Sequence, residues 1–215
     1  KDTAIRVTGI IYRIAGSSVY LQEDDPETGY TYGIQVYLGV GGELTNAVVG
    51  AKFCIVGTLQ YYESGSYYQI SGVKNPGFFG VADDESFRVD DQIYPTNPVT
   101  ITYDDYANRT EESLFANTRM ENLTVVDVYT TRKEGSSSYG AMTLTCKDKN
   151  QNTITVRTQV LKENDVLVTE DRFMGKTITV VGMLQPYQPE NGDLTYQFEI
   201  YSMKDVTFID WLEGV

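Results

Sequence analysis

The chain contains no histidine. That absence removes the Ser-His-Asp and Cys-His nucleophile arrangements, and with them every metal site that needs an imidazole. Cysteine is scarce too: Cys54 and Cys146, one in each half of the 215 residues, are too few for a disulfide framework. No run approaches the roughly 20 apolar residues that cross a bilayer. The opening "KDTAIRVTG" lacks the apolar stretch of a signal peptide, which leaves a cytoplasmic protein or one whose targeting segment has been removed. No G-x-x-x-x-G-K-[ST] or G-x-G-x-x-G follows a predicted strand, so phosphate-cradling loops are not expected. No segment keeps a long 3.6-residue period, so helical architectures drop out. Basic residues are in deficit, 17 against 30 acidic, for a net charge of −13. The deficit is shared, −7 over residues 1–110 and −6 over 111–215. Such a field opposes a phosphate backbone, which is bound mainly by Lys and Arg, and it favours solubility.

What is present begins with a repeat. "VGAKFCIVGTLQYY" (49–62) returns as "MGKTITVVGMLQPY" (174–187). Gly50, Val56, Gly57, Leu59, Gln60 and Tyr62 match Gly175, Val181, Gly182, Leu184, Gln185 and Tyr187 without a gap. Both copies alternate, Phe53, Ile55 and Leu59 in one, Ile178, Val180 and Leu184 in the other, as a strand with one buried face does. Cys54 aligns with Thr179, so nothing in the pattern requires a thiol there, and Cys146 continues the inward alternation Met142, Leu144 as a buried, inert thiol. Gly57 and Gly182 sit mid-strand, where a missing side chain lets a sheet bend. A turn follows each copy, "YYESGS" or "PYQPENGD", and then a second strand on Tyr68-Gln69-Ile70 or Tyr196-Gln197-Phe198.

Upstream, "AIRVTGIIYRI" (4–14), "VYLQ" and "YGIQVYL" (32–38) read as three strands of the first half. "SLFANTRMENLTVVDVY" (113–129), "AMTLTC" and "TITVRTQV" are their counterparts in the second. Each half therefore has a long, interrupted first strand, a crossover between strands three and four, and a hairpin of strands four and five. On those features, and on the phrase [VM]-G-x(5)-V-G-x-L-Q-x-Y followed by Tyr-Gln-Ile/Phe, each half resembles an OB-fold, the five-stranded Greek-key barrel. The pairing of two is similar to the tandem OB modules of secreted or lipid-anchored bacterial surface proteins. The expected class is thus all-β, two OB-fold-like barrels over residues 1–80 and 111–215, joined by an acidic, Pro-containing connector over 81–110. The resemblance implies an extracytoplasmic location. The connector carries the pairs Asp90-Asp91 and Asp104-Asp105, which read as solvated loop carboxylates or, alternatively, as oxygen ligands for Ca²⁺.

Acidic residues cluster in predicted loops, where a solvated carboxylate is the ordinary state, and no constellation specifies a reaction. The chain is read as non-catalytic and without cofactor. Asp148-x-Asn150-x-Asn152 imitates half of a calcium loop, but Thr153 and Gln159 stand where Gly and Glu belong, so it reads as a polar turn. The sequons at Asn108 and Asn122 matter only in a glycosylating pathway.

Tyrosine is the abundant aromatic, 17 against a single Trp. Strand parity places Tyr20, Gln22, Gln35 and Tyr37 on the face opposite Val19, Leu21, Ile34 and Val36, with Tyr62 and Tyr67 beside it on the 4–5 hairpin. In OB-folds that face is the usual binding surface. Its tyrosines either stack on bases or sugar rings, or they form cross-strand pairs and cover a contact. In the second half the same reasoning exposes Thr143, Thr145, Lys147, Thr155, Arg157 and Gln159, with Arg132 and Lys133 in the adjoining loop. The expected partner is a polymer, single-stranded nucleic acid or carbohydrate, with a protein contact as the alternative.

Overall fold

The computed structural model describes residues 2–74, 85–108, 113–189 and 192–209. The first residues of the expected connector, 81–84 with Asp83 and Asp84, lie outside them. The chain divides into two compact units. The first comprises Lys1–Asn97, Thr110–Asn117 and Pro186–Leu194; the second comprises Pro98–Arg109, Thr118–Gln185 and Thr195–Val215.

In the first unit, β1 (Thr3–Ala15), β2 (Ser18–Asp24), β3 (Thr31–Tyr37), β4 (Ala51–Tyr62) and β5 (Tyr67–Ser71) are ordered β1-β2-β3-β5-β4, and β4 returns to pair with β1. The pairing of β3 with β5 is parallel. A closed five-stranded Greek key with this order is an OB-fold barrel. Its interior is filled by inward residues of each strand, among them Ile11, Val19, Leu21, Val36, Phe53 and Ile70. A sixth strand, β6 (Phe87–Ile93), pairs with the start of β4 on the side away from β1.

The second unit opens with β7 (Val99–Thr100) and the short helix α1 (Tyr103–Ala107), capped by Thr102 and Asp105. Then come β8 (Thr118–Thr130), β9 (Met142–Lys147), β10 (Thr153–Thr158), the small hairpin β11 (Lys162–Glu163) and β12 (Val166–Leu167), β13 (Thr177–Tyr187), β14 (Thr195–Ile200) and β15 (Val206–Ile209). Strands β8-β9-β10-β14-β13 repeat the first order, with β10–β14 parallel and β13 closing on β8. The chain is therefore two tandem OB-fold barrels. β15 pairs with the start of β13 just as β6 pairs with the start of β4. The repeat thus runs to six strands per unit.

The expected connector is accordingly divided: residues 87–93 complete the first sheet, and Val99–Thr100 and α1 group with the second unit. The stretch expected as one long strand from residue 113 also differs, because β8 begins only at Thr118.

The repeated glycines now have a physical cause. Each sits where strand four is paired with strand one and strand five comes in close: Gly57 pairs with Ile5 one residue before Thr58 meets Ser71, and Gly182 pairs with Thr118 beside β14. A Cβ on Gly57 would lie 2.8 Å from Ile70 Cγ2 and 2.9 Å from the Ser71 carbonyl oxygen. On Gly182 it would lie 2.9 Å from the Phe198 ring and 2.0 Å from the Glu199 oxygen. Ile70-Ser71 and Phe198-Glu199 are the same positions of the two fifth strands. Close backbone approach, then, preserves Gly here. Gly50 and Gly175 do different work: both turn into strand four with positive φ, +89° and +73°, and their N–H groups bond to Ile11 and Val125.

Both cysteines are buried and free, one in each unit. Burial pushes the Cys146 thiol up to about 12. A neutral thiol is therefore expected throughout pH 7–9 in the folded protein, against about 8.5 for an exposed cysteine. Reductant should leave the melting temperature unchanged. Cys146 should resist alkylation at pH 8 until denaturant is added; peptide mapping after iodoacetamide checks both states, and rapid native labelling of Cys146 would contradict this packing.

Candidate ligand-binding faces

The registers of the two barrels align the outward faces residue by residue. In the first, Ser18 pairs with Tyr37, Tyr20 with Gln35 and Gln22 with Gly33. In the second, Thr143 pairs with Arg157, Thr145 with Thr155 and Lys147 with Thr153. Each first strand also has a bulge at the same place, between Ile11 and Arg13 and between Val125 and Asp127. Bulges re-aim a side chain. The residues at the two bulges are Tyr12 and Val126.

These matched faces are in opposite states. Val126 is 48% exposed and Tyr12 only 6%. Tyr20, Gln22 and Gln35, expected at an open surface, are buried. The cause is the chain itself: Leu114, Phe115, Ala116 and Asn117, lying just before β8, are all buried. This strap lies on Gly33, where a Cβ would come within 1.8 Å of the Phe115 carbonyl oxygen. The Tyr12 hydroxyl donates to that oxygen at 2.5 Å. The Asn117 amide donates to Gln22 Oε1 at 3.3 Å and to the Thr96 carbonyl at 2.7 Å. Beneath, Gln35 donates to Ser18 Oγ at 3.0 Å. Burial pushes the Tyr12 phenol well above its ordinary value, so it stays a neutral donor.

The Phe115 ring completes an aromatic row. It stacks on Tyr20 with centroids 6.3 Å apart and meets Tyr67 edge-on at 4.8 Å. Tyr20 continues to Tyr12 at 6.2 Å, and Tyr67 to Tyr62 at 5.4 Å. Tyr62 ends the row, 43% exposed, and Tyr37 is half-buried. Phe115 adopts φ = +59°, left-handed for a bulky residue. That conformation costs about 1–2 kcal/mol, less than the roughly 2–3 kcal/mol gained by burying a Phe side chain. The strap holds against its own strain.

The second face has no matching strap among the described residues; at its β10 edge the Tyr106 hydroxyl of α1 accepts from the Thr155 N–H and donates to the Tyr196 carbonyl, each at 3.2 Å. Thr143, Thr145, Thr155, Lys147 and Arg157 are all half-exposed. Arg157 donates to the hydroxyls of Thr143 at 3.0 Å and Thr131 at 3.1 Å, which fixes its guanidinium across the sheet. Lys147 donates to the Gln151 carbonyl at 3.0 Å and to Thr153 Oγ1 at 2.6 Å. Gln159 donates instead to Glu199. Arg132 is paired with Glu170 at 2.9 Å, and hydrogen bonds from Thr130 and then from Arg132 hold that carboxyl below its ordinary value. The cationic character of this face thus rests on Lys147, Arg157 and Lys133. Thr153 stands where the first barrel has Gly33, so no strap could lie equally close.

No family model matches the chain, and no curated protein does. Among solved structures, one match is the crystal structure of a deletion mutant of the single-stranded DNA binding protein from Thermus aquaticus. It is 11% identical, with 99% of this chain and 98% of that chain covered, at a TM-score of 0.27. At that score the likeness carries no argument; strand order and register identify the fold.

Other polar clusters resolve into local structure. The Asp148 carboxylate accepts from the backbone of Asn150 and Asn152 at 2.8 Å each and from the Asn152 amide at 2.9 Å. Burial raises its pKa, but these hydrogen bonds outweigh that and hold it below its ordinary value. Asp25 closes the β2–β3 loop in the same way through Glu27 and Thr28. Among the described residues no group of three acidic or cysteine side chains is placed to hold a metal ion.

Proposed function

We propose that the chain is a non-catalytic, extracytoplasmic binding or adaptor module whose open face is β9–β10 of the second barrel. One observation carries the reading: of two faces matched in register, the first is closed by the protein's own strap and the second is left half-exposed, with Arg157 and Lys147 held across it. The ligand that fits is an extended polymer meeting hydroxyls and two fixed cations, a single-stranded nucleic acid through its phosphates or a carbohydrate through its hydroxyl and carboxylate groups. The exposed Tyr62 offers a stacking ring at the edge of the first barrel.

Titration with oligo-dT, oligo-U and a glycan panel at 50 and 200 mM salt separates these. Two phosphate contacts predict a roughly sevenfold loss of affinity over that range, and neutral glycan binding should hardly change. Arg157→Ala should weaken either ligand roughly tenfold or more. Absence of binding to every probe would leave the second reading, a structural spacer or assembly domain of a surface complex. That reading is favoured by the closed first face.

A further inference from the structure

We propose that the β2–β3 face of the first barrel is a recognition site for an extended peptide with a buried aromatic anchor, and that residues 113–117 are its occupant in cis. The inference does not depend on what the second barrel binds. Three observations on the strap carry it. The first is chemical selectivity. The face grips a ring between Tyr20 and Tyr67, a backbone carbonyl through Tyr12, and an amide side chain two residues on through Gln22. Those are three separate features of a Phe-x-Asn segment.

The second is shape. Gly33 clears a path for peptide backbone on β3 and for nothing bulkier, since even a methyl there would collide with the Phe115 carbonyl oxygen at 1.8 Å and the Ala116 nitrogen at 2.5 Å. The third is strain. Phe115 is held at φ = +59°, and strained residues concentrate at clamps and switches, where the surroundings over-determine them. A peptide is favoured over a nucleic acid because the gripping groups are neutral phenols and amides in a chain of net charge −13. A tethered strap competes at the millimolar effective concentration of a short linker. An external segment therefore occupies the site only when it brings further contacts or when the strap is weakened.

The test uses the full chain and a capped peptide of residues 113–117, Ser-Leu-Phe-Ala-Asn, followed by NMR. Phe115→Ala should bind the peptide one to one, with shifts at Tyr12, Tyr20, Gln22 and Tyr67, and wild type should bind it at least about tenfold more weakly. A peptide with Ala in place of Phe should bind roughly 10- to 100-fold more weakly. Adding Gly33→Ala to Phe115→Ala should abolish binding by blocking the backbone path. If Phe115→Ala fails to fold, Asn117→Ala loosens the strap while keeping every ring, and the same ordering is expected. Folded variants that ignore the peptide, bind its Ala version equally, or bind oligo-dT in preference would overturn the proposal.

Discussion

Gly182→Ala is expected to destabilise the second unit by about 3 kcal/mol or more, the upper end of what overpacking produces. The new Cβ would stand 2.0 Å from the Glu199 carbonyl oxygen and 2.9 Å from the Phe198 ring. Backbone cannot yield as a side chain does, because β14 is held in register by its parallel pairing with β10. For a unit of about 100 residues this lowers the melting temperature by roughly 12 °C or more. Gly57→Ala makes the informative comparison. It occupies the same place in the first barrel, yet its overlaps are shallower, with the Ile70 Cγ2 methyl at 2.8 Å and the Ser71 carbonyl oxygen at 2.9 Å. Partial relaxation there should limit the loss to about 1–2 kcal/mol. Calorimetry of the two variants, each read on its own unit's transition, decides. Equal losses would mean that the glycines are kept for bending alone.

The second large effect is Tyr20→Ala, expected to remove about 3–4 kcal/mol from the first unit, as truncation of a buried aromatic does. Tyr20 is buried, stacks on Phe115 and touches Tyr12. Tyr62→Ala, at the exposed end of the same row, should lose less than about 1 kcal/mol, since this residue is 43% exposed and its ring meets one other ring of the row, Tyr67. Denaturant melts followed by tyrosine fluorescence would separate the two. A small loss at Tyr20 would show that the strap leaves this face readily.

The fold was legible because its signals are local. Alternation along 49–62 and 174–187 reports strands, and mid-strand Gly57 and Gly182 report a crossing backbone. The inward set Val19, Leu21 and Val36 also followed from parity and forms the core. The sixth strands were not legible: "FRVDDQI" is half-exposed, carries paired carboxylates, and reads as loop until β4 supplies its partner. The state of the first face was hidden for a related reason. Parity correctly places Tyr20, Gln22 and Gln35 opposite the core, but it cannot say what lies over them. "SLFAN" is apolar enough to pass for the start of β8, and its left-handed Phe115 breaks the strand in a way that no residue preference announces. The one available signal was Gly33 in "YGIQVYL". A glycine in a short strand marks close approach of a ligand or another backbone, and here the backbone is Phe115.

Whether the chain closes its own first face, while the matched second face stays half-exposed, is read most directly by a nuclear Overhauser experiment on the Phe115 ring. Cross-peaks from that ring to both Tyr20 and Tyr67, with its protons shifted away from random-coil positions, are the expected result. A Phe115 ring at random-coil shifts with no contact to either tyrosine would contradict it.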